Sequence, residues 1–147
     1  MKLLIKSATI IDPSSPFHNK KQDILIENGK ISKISKLIDN SNNYKEIKLE
    51  NLHISQGWFD TSVCFGEPGF EERETIENGL NTAAKSGFTD VAVNANTYPV
   101  ADNKSAIEFI KNKGNNSATS LHPIGSLTKN AKSKDLAELF DMQNSGA

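Results

Sequence analysis

The sequence predicts an α/β chain in two parts, a β-rich segment over residues 1–55 and alternating strands and helices over 56–147. Three observations carry this reading. Apolar and polar residues alternate in LLIKSATIID and DILIENGKISKI, the period-two pattern of half-buried strands. Beyond Gly57 the pattern switches between short apolar runs and apolar residues at helical spacing. The composition, 36% hydrophobic and 24% charged over 147 residues, is that of an ordinary globular domain.

Taken in order, the first part opens on the strand LLIKSATIID. Asn28-Gly29 between Ile24, Ile26, Ile31 and Ile34 is a two-residue hairpin signal, because both central residues of the favoured turn need positive φ. LIDNSNNYKE, with Asn or Asp at 39, 40, 42 and 43, reads as a loop. In the second part WFDTSVCF is a strand. Residues 71–86 carry Ile76, Leu80, Ala83 and Ala84 at helical spacing, and Gly87 can close that helix. TDVAVNAN is the next strand, residues 101–113 the next helix with Ile107 and Ile110 inward, and ATSLHPIGS the third strand. Residues 133–143 read as a last helix with Leu136, Leu139 and Phe140 on its buried face. Strands and helices in strict alternation specify a parallel sheet. Three such units do not close an eight-stranded barrel, which takes about 250 residues, so the chain reads as part of a larger protein; a small open sheet complete in itself is the alternative.

Charge and composition exclude several functions. A net charge of -1 and a pI near 6.3 provide no basic field, so neither nucleic acid nor an anionic membrane surface is expected as a partner. Arg73 is the only arginine. Arginine is the side chain best shaped to clamp a carboxylate through two parallel hydrogen bonds, and its scarcity bears on substrate binding. A single cysteine, Cys64, excludes an internal disulfide. MKLLIKSATIID has no apolar run of signal-peptide length, and no segment approaches the roughly 18 apolar residues of a membrane span. The expected location is cytoplasmic.

The stretch GWFDTSVCFGEPGFEERETIENGLNTAAKSGFTDVAVNANTYPV, followed by GSLTK and DLAEL, resembles the dihydroorotases of the cyclic amidohydrolase superfamily, from the first barrel strand through the second. Glu67-Pro68-Gly69, Glu74-Thr75-Ile76, Gly87-Phe88-Thr89, Asn96-Thr97 and Gly125-Ser126-Leu127-Thr128-Lys129 occur in the family's order and spacing. The resemblance covers essentially the whole chain. It implies the N-terminal part of a TIM-like (β/α) barrel, preceded by a small β-sandwich segment, and a place in pyrimidine biosynthesis.

Departures from the family pattern fall on its chemistry. The family reads Asp-x-His-x-His-x-Arg-Glu-Pro-Gly, and two histidines at i and i+2 of a strand reach one ion from the same face. Here those positions are Ser62 and Cys64, and the substrate-binding arginine falls at Gly66. A serine hydroxyl is a poor ligand for a divalent metal, and one thiolate does not make a zinc site. Asn96, which the resemblance assigns to the substrate carboxylate, is retained, as is Asp60 at the head of the motif.

Each remaining candidate has a structural reading beside the functional one. Asp60 is a residual metal ligand or, more simply, a loop-ordering carboxylate. His122 is a substitute ligand or a satisfied loop or core residue. Cys64 has no His or Lys within five residues to lower its pKa, and reads as a small buried residue. His53 precedes the barrel. Glu71, Glu72 and Glu74 read as acidic residues complementing a helix N-terminus, and Asn94 and Asn96 as sharing one face of the second strand. No residue is assigned a catalytic role and no metal is expected.

Two functions compete. One is a dihydroorotase-like protein that has lost its chemistry and serves as a structural partner; the resemblance implies aspartate transcarbamoylase, or another copy of the chain in a homo-oligomer, as that partner. The other is an active hydrolase of cyclic amides (dihydroorotate/carbamoyl aspartate) that holds zinc through substitute ligands. Regaining the family chemistry would take Ser62→His, Cys64→His and Gly66→Arg together.

Overall fold

The computed structural model describes residues 2–147. The chain divides into two compact units, Met1–Gln56 and Gly57–Ala147. In the first, β1 (Lys2–Ile11), β2 (Lys21–Glu27), β3 (Lys30–Ser35), β4 (Lys45–Ile47) and β5 (His53–Ser55) form one five-stranded sheet. β2 runs antiparallel between β1 and β3, while β4 and β5 pair with successive halves of β1 in parallel. Asn28 and Gly29 make the β2–β3 turn with φ of 52° and 75°. Leu4, Ala8, Ile10, Ile24 and Ile38 are buried. Ile31, beyond the hairpin turn, is 62% exposed: the register slips between Leu25 and Ile26, and a slip of one residue turns a strand's side chains over.

Asp23 is the polar centre of this unit. It is buried, and it accepts from Ser7 N at 2.8 Å and Ile38 N at 2.9 Å while pairing with Lys6. The site exists because β1 bulges between Ile5 and Ala8, where Ser7 has φ of 54° and points its N–H inward. Burial pushes the Asp23 carboxyl up, but the Lys6 hydrogen bond and the two backbone donors outweigh it and leave the pKa below the ordinary value. A lowered folded-state pKa adds stability above the unfolded value, lost as pH falls through the folded one. Urea unfolding of the parent is therefore expected to show a loss of stability between pH 5 and pH 2.5 that Asp23→Asn, already destabilised at pH 7, shows to a smaller extent. Equal acid sensitivity in the two proteins would overturn the assignment.

The second unit contains β6 (Trp58–Val63), α1 (Ile76–Lys85), β7 (Phe88–Val93), α2 (Lys104–Lys113), β8 (Ser120–Pro123), a short 3-10 turn at Lys129–Ala131 and α3 (Leu139–Asn144). The strands are parallel in the order β6-β7-β8. Its core joins Phe65, Val91 and Val93 to Ile76 and Leu80 of α1, to Ile107 and Ile110 of α2, and to Ala137 and Met142. Thr75 caps α1, its hydroxyl accepting from Asn78 N at 3.2 Å, and Asn103 caps α2 by accepting from Ala106 N at 3.0 Å.

Three expectations need correction. The first helix starts at Ile76, not Glu71. Residues 71–73 are a turn in which Glu71 accepts from Gly69 N, and Glu74 beyond it accepts from the Asn78 side-chain amide, so of the acidic residues only Glu77 lies in the first helical turn. The second helix likewise waits for its cap at Asn103. The last helix is Leu139–Asn144, because residues 133–135 bend, with Ser133 at φ of 56°, and the Thr128–Leu136 bridge and the Ala137 N to Leu127 O bond take Leu136 and Ala137 out of any helix. Leu136 (64%), Leu139 (40%) and Phe140 (73%) are consequently exposed, and Ala137 and Met142 fill the core.

Candidate functional site

Val91 and Val93 of β7 point into the helix-covered core, so their neighbours Asp90 and Ala92 point to the opposite face. That second face carries the residues of chemical interest. Just beyond the end of β7, Asn94 donates through Nδ2 to Ser62 Oγ at 3.0 Å and to Cys64 Sγ at 3.4 Å. The two positions singled out on the first barrel strand thus converge, as period two requires, and a neutral amide fills the gap between them. Cys64 is exposed, not buried as expected, because Val63 and Phe65 on either side of it take the core positions.

Asp60 does not join this cluster. The β6–β7 register runs Asp60 to Val91 and then Val63 to Val93, so β6 spends three residues where β7 spends two. This bulge turns Asp60 to the core side, where it lies beside Val63, Thr82, Ala83 and Ser86 in the cleft against α1. Its Oδ1 accepts from Ser62 N at 3.0 Å. The carboxylate braces the bulge from one face while the Ser62 hydroxyl emerges on the other.

His122 lies on β8, half exposed, with Nε2 2.8 Å from Asp90 Oδ1 and its ring edge-on to Phe59 at 5.7 Å. The His122 hydrogen bond, aided by Thr89, holds the Asp90 carboxyl below its ordinary pKa. A carboxylate on one ring nitrogen fixes the orientation of an imidazole and leaves the other nitrogen available. Asp90 was not legible as a site residue, since its partner is 32 positions away and only strand pairing brings them together. His53 lies on β5 with Nδ1 2.7 Å from Asn51 O, outside the second unit.

Asn94 and Asn96 follow β7 rather than lie within it, and Asn96 is exposed. The segment after it locks onto the loop that follows β6, where Tyr98 N donates to Pro68 O at 2.8 Å, and closes on itself through the Thr97 hydroxyl donating to Pro99 O at 2.8 Å. Gly66, in place of the arginine, has φ of +104°. A Cβ there would lie 2.6 Å from Phe70 O.

Hydrolytic zinc sites offer three protein ligands of nitrogen, sulfur or carboxylate type and one open position. Among the described residues no three His, Cys, Asp or Glu side chains come together. Ser62, Cys64 and Asn94 supply one thiol, one neutral hydroxyl and one amide, with Asp60 turned away. These residues alone do not fit the metal that the fold family implies.

Comparison with known proteins agrees with the fold. Residues 53–147 match the family model described as dihydro-orotase-like. Over its whole length the chain is 42% identical to a dihydroorotase of Pelotomaculum thermopropionicum, and over 99% of its length 37% identical to one of Syntrophotalea carbinolica. It spans 34% of each, about a third of these relatives. Among solved structures, an L-hydantoinase (dihydropyrimidinase) from Arthrobacter aurescens superposes with a TM-score of 0.70 at 20% identity, over 99% of this chain and 31% of that one. A dihydroorotase superposes with a TM-score of 0.68 at 14% identity, over 98% of this chain and 38% of that one. At such identities the structures speak for fold alone, and the fold is the opening βα units of an amidohydrolase-type barrel with its β-rich flanking segment. On the match of its residues 53–147, the chain belongs to the dihydroorotase-like family.

Proposed function

We propose that this protein is a dihydroorotase-like member of the pyrimidine pathway whose metal site is degenerate and whose role is structural. The observation that supports this most directly is the Ser62–Asn94–Cys64 cluster, which offers hydrogen bonds where the family places two imidazoles. In this reading nucleophile activation and substrate anchoring are lost together. A zinc-type hydrolase uses the metal to lower the pKa of a water and polarise the amide carbonyl, and Gly66 offers no side chain to hold the substrate carboxylate. The partner is aspartate transcarbamoylase, with a homo-oligomer of this chain as the other assembly to be scored.

The test uses the longest natural chain carrying this sequence, purified with zinc in the medium. It is expected to hold no zinc dependent on Cys64, to leave dihydroorotate unhydrolysed above background, and to co-elute with purified aspartate transcarbamoylase. Zinc at one equivalent or more that is lost in Cys64→Ala, together with turnover, would overturn the non-catalytic reading; elution apart from the transcarbamoylase would overturn the partner.

His122 favours a second reading, an active cyclic amide hydrolase with substitute ligands, because Asp90 orients its ring as carboxylates orient metal-bound imidazoles. That reading requires turnover in the parent and its loss in His122→Ala.

A further inference from the structure

We draw no further inference here: the strongest candidate, the polar cleft of about 400 Å³ between α1 and the α2–β8 loop lined by Glu67, Glu77, Asn81, Lys113 and Asn116, carries nothing because its one cation, Lys113, is already held by the buried Glu67 carboxylate and nothing in the structure points to a ligand that would occupy it.

Discussion

Gly66→Arg is expected to destabilise the second unit by about 2–4 kcal/mol, a large share of the 5–15 kcal/mol that ordinarily holds a domain folded. A side chain at φ of +104° costs about 1–3 kcal/mol in backbone strain alone. The new Cβ would also approach Phe70 O to 2.6 Å, and that contact is with backbone, which has no rotamer to change. Relieving it means opening the turn in which Phe70 N donates to Gly66 O at 3.0 Å, at a further cost of about 1 kcal/mol. Gly66→Ala carries the same strain without the long side chain and is expected to show most of the loss. Thermal unfolding of parent, alanine and arginine variants, followed by circular dichroism, measures it; an arginine variant melting within about 2 °C of the parent would overturn the argument. The consequence reaches function. The combined Ser62→His, Cys64→His and Gly66→Arg protein is expected to carry the same loss of stability, so regaining the arginine of the family also calls for rebuilding the turn.

Glu67→Ala is expected to cost about 2–3 kcal/mol. The Glu67 side chain is 8% exposed and divides its oxygens between two elements: Oε2 accepts from Ile76 N at 2.8 Å, and Oε1 meets Lys113 Nζ at 2.8 Å. It therefore ties the loop after β6 to the start of α1 and the end of α2. Truncation leaves a buried N–H unpaired at a helix N-terminus, and an unsatisfied buried donor costs about 1–3 kcal/mol. The ion pair adds a pH signature. Glu67, by hydrogen bond and charge, raises the pKa of Lys113 above its ordinary 10.5, with Glu77 and Glu71 contributing. A raised folded-state pKa means that this stabilisation is fully present below about 10.5 and is lost as pH rises through the folded value. Urea unfolding is expected to place Glu67→Gln between parent and Glu67→Ala, and to show the difference between parent and Lys113→Met shrinking only above pH 10. A Glu67→Ala protein within about 0.5 kcal/mol of the parent would refute the tie.

These two residues mark how much of the site was legible. The spacing of Ser62 and Cys64 put them on one strand face, and the structure joins them through Asn94. Asp60, read as a residual ligand or a loop-ordering carboxylate, accepts from Ser62 N and takes the core side because an extra residue in β6 reverses the face, which no period-two count can register. The departure at Gly66 was visible in the sequence, but its φ was not. Glu67 stood out only as part of a motif, and its work depends on Lys113, brought beside it by the packing of α1 and α2.

What the sequence alone determined is whatever depends on neighbours along the chain: the change from strand to strand–helix rhythm at Gly57, the Asn28-Gly29 turn, the helices around Ile76–Leu80 and Ile107–Ile110, and the absence of histidine at 62 and 64. What only the tertiary structure decided depends on contacts across it. The Thr128–Leu136 bridge cut short a helix that Leu136, Leu139 and Phe140 had suggested. Strand pairing brought His122 to Asp90, the β6 bulge turned Asp60 away, and the return of Phe70 onto Gly66 closed the position where an arginine would stand. Periodicity reports which face a residue occupies in an ideal element, whereas register and loop closure are fixed by pairing partners far off in the chain.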